Sequence, residues 1–75
     1  MEQNMGNIIR ERRALLKITQ QDLADYSGVS LRMIKSIEAE SANPSVGTLT
    51  KITEVIGLEI ILRIKEINDA TSGGL

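Results

Sequence analysis

Hydrophobic residues recur at intervals of three and four along most of the chain, which is the pattern of amphipathic helices that turn one face to a core. The pattern predicts a first helix over about residues 5–17, a second over 20–26, a third over 31–38 and a fourth over 46–56. Each of the last three follows a residue that suits the N-cap position: Thr19, Ser30 and Ser45. Residues 1–57 are therefore expected to form one helical domain.

Further local signals mark where these helices begin and end. Asp22 stands three residues after Thr19, as in a capping box with Asp at the third helical position. Gly28 and Gly57 follow the second and fourth helices, where glycine suits a left-handed C-cap. Pro44 disfavours helix at the residue before it, so residues 40–44 are expected to form a loop.

The pattern changes after Gly57 from helical spacing to alternation. Apolar residues stand at every second position: Leu58, Ile60, Leu62 and Ile64. This alternation, with its β-branched residues, predicts a short strand over residues 58–67. A lone strand leaves its backbone groups unpaired, so we expect it to pair with the same strand of a second copy in a homodimer. A fifth helix is the alternative, because helical spacing fits another set: Ile60, Ile61, Ile64 and Ile67. Residues 68–75 are expected to form a flexible tail.

Composition argues against catalysis. The 75 residues include no Cys and no His, so the commonest metal ligands and the commonest general base are absent. One Tyr, with no Phe or Trp, provides little material for a deep substrate pocket. We expect a protein that is not an enzyme and that binds no cofactor and no metal.

The net charge is −1, but the charged residues are distributed unevenly along the chain. Residues 10–35 contain six basic and three acidic residues, whereas residues 36–75 contain three basic and six acidic ones. This asymmetry suits a protein with one face for nucleic acid and another for a partner. No signal peptide is apparent and the longest apolar run is too short for a membrane span, so a cytoplasmic location without membrane contact is expected.

Residues 20–37 have the features of a helix-turn-helix motif. Two helices that meet near right angles need a small residue at their contact and a glycine in the turn, and Ala24 and Gly28 meet these needs. Apolar residues at the right spacing would lock the second helix in place: Leu23, Val29, Ile34 and Ile37. Together these positions predict the motif.

The stretch from Ile9 to Ile56 resembles the lambda-repressor/Cro type of helix-turn-helix domain, also called the XRE family. The matching positions are Ile9-Arg10, Arg13, Ile18-Thr19-Gln20, Leu23-Ala24, Gly28-Val29-Ser30, Ile34, Ile37-Glu38, Asn43-Pro44-Ser45 and Thr48-Leu49. The resemblance implies an all-α, compact lambda-repressor-like domain of four to five helices, whose second motif helix lies in the major groove of double-stranded DNA. It also implies a sequence-specific transcriptional regulator, a repressor that acts as a homodimer on a near-palindromic operator.

The family positions and the physics of helix ends indicate the DNA-binding residues. Free N–H groups at the start of the second helix favour phosphate contact, and the outward residues of the third helix are candidates for base or phosphate contact. The candidates are Thr19, Gln20, Gln21, Ser30, Leu31, Arg32, Lys35, Ser36 and Asn43. The resemblance further implies that Arg13 and Glu38 form an ion pair that braces the first helix against the third.

The segment after the fourth helix narrows the resemblance to the HipB-type antitoxins, in which a short C-terminal strand pairs across the dimer. The alternative function is therefore an antitoxin that binds a kinase-like toxin and represses its own operon. Little follows Ile67, which argues against a toxin contact through the tail. Leu31, Ser36 and Glu40 depart from the common family pattern, so the operator sequence is not predicted.

Overall fold

The computed structural model describes residues 4–62, which form four α-helices: α1 (Met5–Leu15), α2 (Gln20–Ser27), α3 (Leu31–Glu38) and α4 (Val46–Ile56). The prediction of an all-helical domain is confirmed. The first helix ends two residues earlier than predicted and the second extends one residue further. No helix in this part of the chain has the length and apolar character to cross a bilayer.

The predicted caps are present at both ends of the helices. The Thr19 hydroxyl accepts a hydrogen bond from the Asp22 N–H and the Asp22 carboxylate accepts one from the Thr19 N–H, each at 2.9 Å. This pair is the capping box that the sequence predicts. Gly28 and Gly57 adopt left-handed φ angles of 78° and 74°. Serine hydroxyls cap the other two predicted helix starts: Ser30 and Ser45.

The core draws apolar side chains from all four helices and from the turn between α2 and α3. Helices α3 and α4 each pack against both α1 and α2. The buried side chains are Ile9, Leu23, Ala24, Val29, Ile34, Ile37, Ile52 and Ile56. Full burial of an aliphatic side chain of this size contributes about 1.5–3 kcal/mol. The residues predicted to lock the motif together are all in this core, so that prediction is confirmed.

Helix α1 meets the core over a narrower face than its apolar pattern indicates. Ile9 is buried, whereas Ile8, Leu15 and Leu16 are exposed. An apolar residue is buried only where another element covers it, and these three side chains are not fully covered. Near its start, α1 approaches α3 closely at Gly6, where a Cβ atom would stand 2.5 Å from the Ile37 carbonyl oxygen.

The chain beyond α4 forms neither helix nor strand over residues 58–62. The Leu58 N–H donates to the Thr53 carbonyl at 2.9 Å and completes the end of α4. The rest of the predicted strand, residues 63–67, and the predicted tail, residues 68–75, lie outside the described residues. A strand needs a hydrogen-bonded neighbour. The strand and the homodimer therefore stay predictions.

Candidate nucleic-acid interface

Helix α3 carries two exposed cations on one side. Arg32 and Lys35 stand three residues apart, which brings them one turn apart on the same face. The opposite face is buried through Ile34 and Ile37. Ser30 is also exposed, and its hydroxyl accepts a hydrogen bond from the Met33 N–H at 3.1 Å as the N-cap of the helix. The outer face of α3 is therefore cationic at its centre.

Two candidates on α3 lie deeper than expected. Leu31 is half-buried and packs against the core, because it stands one turn before Ile34 on the inward side. Ser36 is half-buried, and its carbonyl oxygen accepts hydrogen bonds from the N–H and the hydroxyl of Ser41 at 2.9 and 3.2 Å. Both side chains are therefore only partly exposed, and their contact with DNA stays a prediction.

The start of α2 presents unpaired backbone donors. Thr19 is exposed, but its N–H and hydroxyl are engaged in the capping box. The N–H groups of Gln20 and Gln21 belong to the first turn, where no helical acceptor exists, and they have no other acceptor within residues 4–62. The Gln21 side chain is exposed and its amide donates to Asp25 at 2.8 Å. This end of α2 has the geometry and dipole that favour an anion.

The carboxylate of Glu38 joins α3 to the two preceding helices. Only 4% of this residue is exposed. Arg13 donates to both carboxylate oxygens, from Nε at 2.8 Å and from Nη2 at 2.9 Å. Gln20 Nε2 donates to Oε1 at 3.0 Å, and Arg13 Nη1 donates to the Ile18 carbonyl oxygen at 3.0 Å. The ion pair implied by the family resemblance is confirmed, and it includes a third partner that the sequence does not indicate.

This arrangement shifts the pKa values of both Glu38 and Arg13. Burial by itself raises the pKa of the Glu38 carboxyl, but hydrogen bonds from Arg13 and Gln20, together with the charges of Arg13 and Arg10, outweigh it and hold the pKa below the ordinary value. The hydrogen bond to Glu38 raises the pKa of Arg13. Both groups are therefore charged at neutral pH, and the pair presents Gln20 at the start of α2 in a defined position.

Comparison with known proteins agrees with the helix-turn-helix arrangement of α2 and α3. A family model described as helix-turn-helix matches residues 9–62. The chain belongs to the XRE-type helix-turn-helix family. Similar proteins include one named as an HTH-type transcriptional regulatory protein from Methanococcus maripaludis, 38% identical over 68 residues, which are 91% of this chain and 21% of that protein.

A shorter relative has nearly the length of this helix-turn-helix chain. It is named an uncharacterized HTH-type transcriptional regulator, from Methanocaldococcus jannaschii, and is 39% identical over 56 residues, which are 75% of this chain and 85% of that protein. The chain thus spans about a fifth of the Methanococcus relative and most of the shorter one. The same helix-turn-helix unit occurs within long proteins and in short ones.

One further cation, Arg10, was not among the residues predicted from the sequence to bind DNA. Arg10 is exposed, donates to the Asn7 side chain, and contributes its charge at Glu38. Its position three residues before Arg13, on the same side of α1, is the signal that could have identified it. Arg10 is therefore a further candidate for phosphate contact.

The loop between α3 and α4 also has an unexpected charge arrangement. Glu40 adopts a left-handed φ of 59°, a conformation that glycine adopts without strain, and its carboxylate accepts a hydrogen bond from the Gly6 N–H. Its negative charge is therefore held at the first turn of α1. Asn43, the remaining candidate, is exposed in the same loop.

Proposed function

We propose that this chain is a sequence-specific, double-stranded DNA-binding transcriptional repressor that acts as a homodimer on a near-palindromic operator, by binding and not by catalysis. The observation that supports this best is the pairing of exposed Arg32 and Lys35 on α3 with open N–H groups at the start of α2. The names of the relatives point to transcriptional regulation. The cytoplasmic location stays a prediction.

The outer face of α3 is proposed to enter the major groove. Arg32 would donate two hydrogen bonds to guanine O6 and N7, and Lys35 would reach a base or phosphate one turn further on. The exposed part of Leu31 would contact a thymine methyl, while Ser30 would donate from its hydroxyl at the start of the helix. Because α3 is anchored by its buried face and by Glu38, these side chains start from a rigid base.

Phosphate contacts would fix α3 in the groove without reading sequence. The N–H groups of Gln20 and Gln21 supply two donors along the axis of α2. The Gln20 amide donates one hydrogen to Glu38 and has a second to offer. The other proposed phosphate contacts come from Arg10, Thr19, Ser36 and Asn43.

A homodimer would place two α3 helices in successive major grooves, about 34–36 Å apart. In the proposed dimer, residues 1–57 bind DNA and residues 58–67 bind the second copy. Doubling the contacts strengthens binding to paired half-sites over single ones, because the second half-site binds at high effective concentration. This explains how a chain with few cations would achieve selectivity.

Selection of bound sequences from a random DNA pool tests the proposal. The expected result is enrichment of an inverted repeat whose half-sites are about 10–10.5 base pairs apart, or a multiple of that spacing. Enrichment of single half-sites would retain DNA binding but reject the dimer. A pool without enrichment, together with binding that does not depend on DNA sequence, would reject the proposal.

The antitoxin alternative rests on the C-terminal resemblance and requires a protein partner. Its test is affinity capture from the native cell with the DNA-binding surface disabled by Arg32→Ala. Stoichiometric capture of a kinase-like protein would favour the alternative. A protein that binds its operator and captures no such partner favours the repressor.

A further inference from the structure

Arg12 connects the first helix to the end of the last one. It is half-buried on α1, and its Nε donates to the carbonyl oxygen of Ile56 at 2.7 Å, 44 residues further along the chain. Ile56 is the last residue of α4. This contact belongs neither to the helix-turn-helix motif nor to the proposed DNA surface.

The end of α4 has the features that favour a cation. The last carbonyl groups of a helix lack donors from within the helix and carry the negative end of its dipole. The N–H groups of Gly57 and Leu58 both donate to the Thr53 carbonyl, so neither is bonded to Ile56. The last turn of α4 contains no basic residue of its own. Arg12 therefore supplies from α1 both a donor and a positive charge.

The Arg12 guanidinium also lies close to the residue at which the chain leaves α4. Gly57 has a left-handed φ of 74°, and a Cβ atom there would stand 3.1 Å from Arg12 Nη2. The next residue, Leu58, lines the same shallow groove as Arg12, a depression of about 230 Å³ along α1. Arg12 thus contacts α4 at its last carbonyl and lies beside the two residues that follow.

We propose that Arg12 is a positioning residue, which fixes the direction in which the chain leaves α4 and thereby the spacing of the two half-sites that a dimer binds. The inference rests on the homodimer of the proposed function and adds to it a residue that sets its geometry. If the chain after α4 joins the copies, its direction at residues 57–60 determines the angle between their α3 helices. A fixed direction selects one spacing, whereas a variable direction admits several.

The guanidinium group of Arg12 suits this role because it is planar and presents its donors in a fixed fork. Its Nε is bonded to the Ile56 carbonyl, while its Nη2 lies close to Gly57. Two contacts of one rigid plane define an orientation. A lysine ammonium carries the same charge at a single point, so it would neutralise the end of the helix without defining the direction of the chain.

Helix α1 joins this end of the molecule to the proposed DNA surface. Adjacent residues of a helix point in different directions, since they are about 100° apart around its axis. Arg13 accordingly bonds to Glu38 of α3, while Arg12 bonds to the end of α4. The two arginines therefore attach α3 and the end of α4 to the same helix. A connection of this kind is needed if the direction of the chain after α4 is to set the position of α3.

Residual dipolar couplings of the ¹⁵N-labelled chain test the positioning directly, because they report the orientation of each N–H group relative to the helices. The test variants are Arg12→Met, which removes both contacts of the guanidinium, and Arg12→Lys, which retains the charge. The control is Lys51→Met, which removes an exposed cation from α4.

In the wild-type chain the couplings at residues 58–60 are expected to fit the same alignment as those of α4. Both Arg12 variants should reduce these couplings to about half or less and leave those of the helices unchanged, because the chain after α4 becomes mobile. The control should change neither set. Wild-type values in the Arg12 variants, or wild-type couplings that are already averaged, would overturn the proposal. Arg12→Lys keeps the comparison available if Arg12→Met fails to fold.

Half-site spacing tests the consequence for DNA. Inserting or deleting one base pair between the selected half-sites rotates one of them by about 34–36° around the DNA axis. The wild-type chain and Lys51→Met should lose about tenfold or more in affinity on these operators, since the two copies no longer reach their half-sites together. Arg12→Lys should bind a single half-site as the wild-type chain does, and should lose only about threefold or less on the altered operators. Equal losses for Arg12→Lys and the wild-type chain would overturn the proposal.

The two experiments separate this inference from the proposed function. If the Arg12 variants release residues 58–60 but the wild-type chain selects no DNA sequence, the positioning role stands and the proposed function fails. If the wild-type chain selects a paired site and Arg12→Lys keeps both its couplings and its spacing preference, the proposed function stands and the positioning role fails.

Discussion

Glu38 connects three helices through one carboxylate, since it belongs to α3 and accepts hydrogen bonds from Arg13 of α1 and Gln20 of α2. A buried charge is tolerated only when its partners compensate for lost hydration. Here two donors from one guanidinium and a third from an amide do so. The same carboxylate that fixes the angle between helices also orients a residue proposed to contact phosphate.

Glu38→Gln is expected to lower the free energy of unfolding by about 3 kcal/mol, because the half-buried Arg13 guanidinium loses its counter-charge. Urea unfolding followed by circular dichroism measures this change. The control is Glu54→Gln, an exposed residue on α4 whose loss should change stability by less than about 0.5 kcal/mol. Equal effects of the two substitutions would show that the pair does not stabilise the fold.

The pH dependence of stability provides a second test of the Glu38→Gln substitution. Folding lowers the pKa of Glu38 from its ordinary value of 4.5, so its contribution is complete above that pH and disappears as the pH falls through the lower, folded value. Wild-type stability should therefore decline below about pH 4.5, and Glu38→Gln should decline less. Parallel curves for the two proteins would contradict this assignment.

Arg32 offers the sharpest test of base reading. If it donates two hydrogen bonds to a guanine, Arg32→Ala should cost about 1–3 kcal/mol of binding free energy and remove the preference at that base pair. Fluorescence anisotropy on the selected site and on its single-base variants measures both effects. Lys51→Ala, an exposed cation on α4, is the matched control and should leave affinity unchanged. Uniform weakening on all sequences would reassign Arg32 to phosphate contact.

At the scale of elements, the prediction from sequence succeeded where the deciding interactions are local. Thr19 and Asp22 cap α2 within one turn, and Gly28 ends it through its own conformation, so these features could be predicted from short segments. The exposure of Leu15 could not, because it depends on which element covers α1. The same limit applies to Leu31, whose depth follows from how α3 lies on the core.

The close approach of α1 to α3 could not be predicted from the sequence either, because nothing in the sequence distinguishes Gly6 from a glycine that has no close neighbour. Gly6→Ala should destabilise the fold by about 1–3 kcal/mol, because its Cβ would meet the carbonyl oxygens of Ile37 at 2.5 Å and Glu38 at 2.9 Å. Gly47→Ala in α4 is the control. Its nearest neighbour would be the Ser45 hydroxyl at 3.8 Å, so it should stabilise by about 0.5–1 kcal/mol. Thermal melts of both variants check the contrast, which equal shifts would contradict.

At the scale of the whole molecule, charge and apolar surface are separated. The exposed cations stand on α3, whereas an apolar groove lies between α1 and α4. The sequence indicated this separation through its basic front half and acidic back half. It could not locate the apolar groove between α1 and α4, because that groove is assembled from residues as distant as Met5 and Ile60.

Salt dependence should report the number of copies on DNA. Each phosphate contact releases counterions, so the slope of log affinity against log salt scales with the number of contacts. The slope on the full operator should be about twice the slope on an isolated half-site, although the net charge of the chain is only −1. Anisotropy titrations at several salt concentrations measure both slopes. Identical slopes would mean that one copy binds either DNA.

The most direct test of DNA binding through α2 and α3 is an NMR titration of the ¹⁵N-labelled chain with its selected DNA site. We expect the largest amide shifts at Gln20 and Gln21 at the start of α2, and at Arg32 and Lys35 on α3. Shifts concentrated on α1 and α4, with those four residues unchanged, would contradict this expectation.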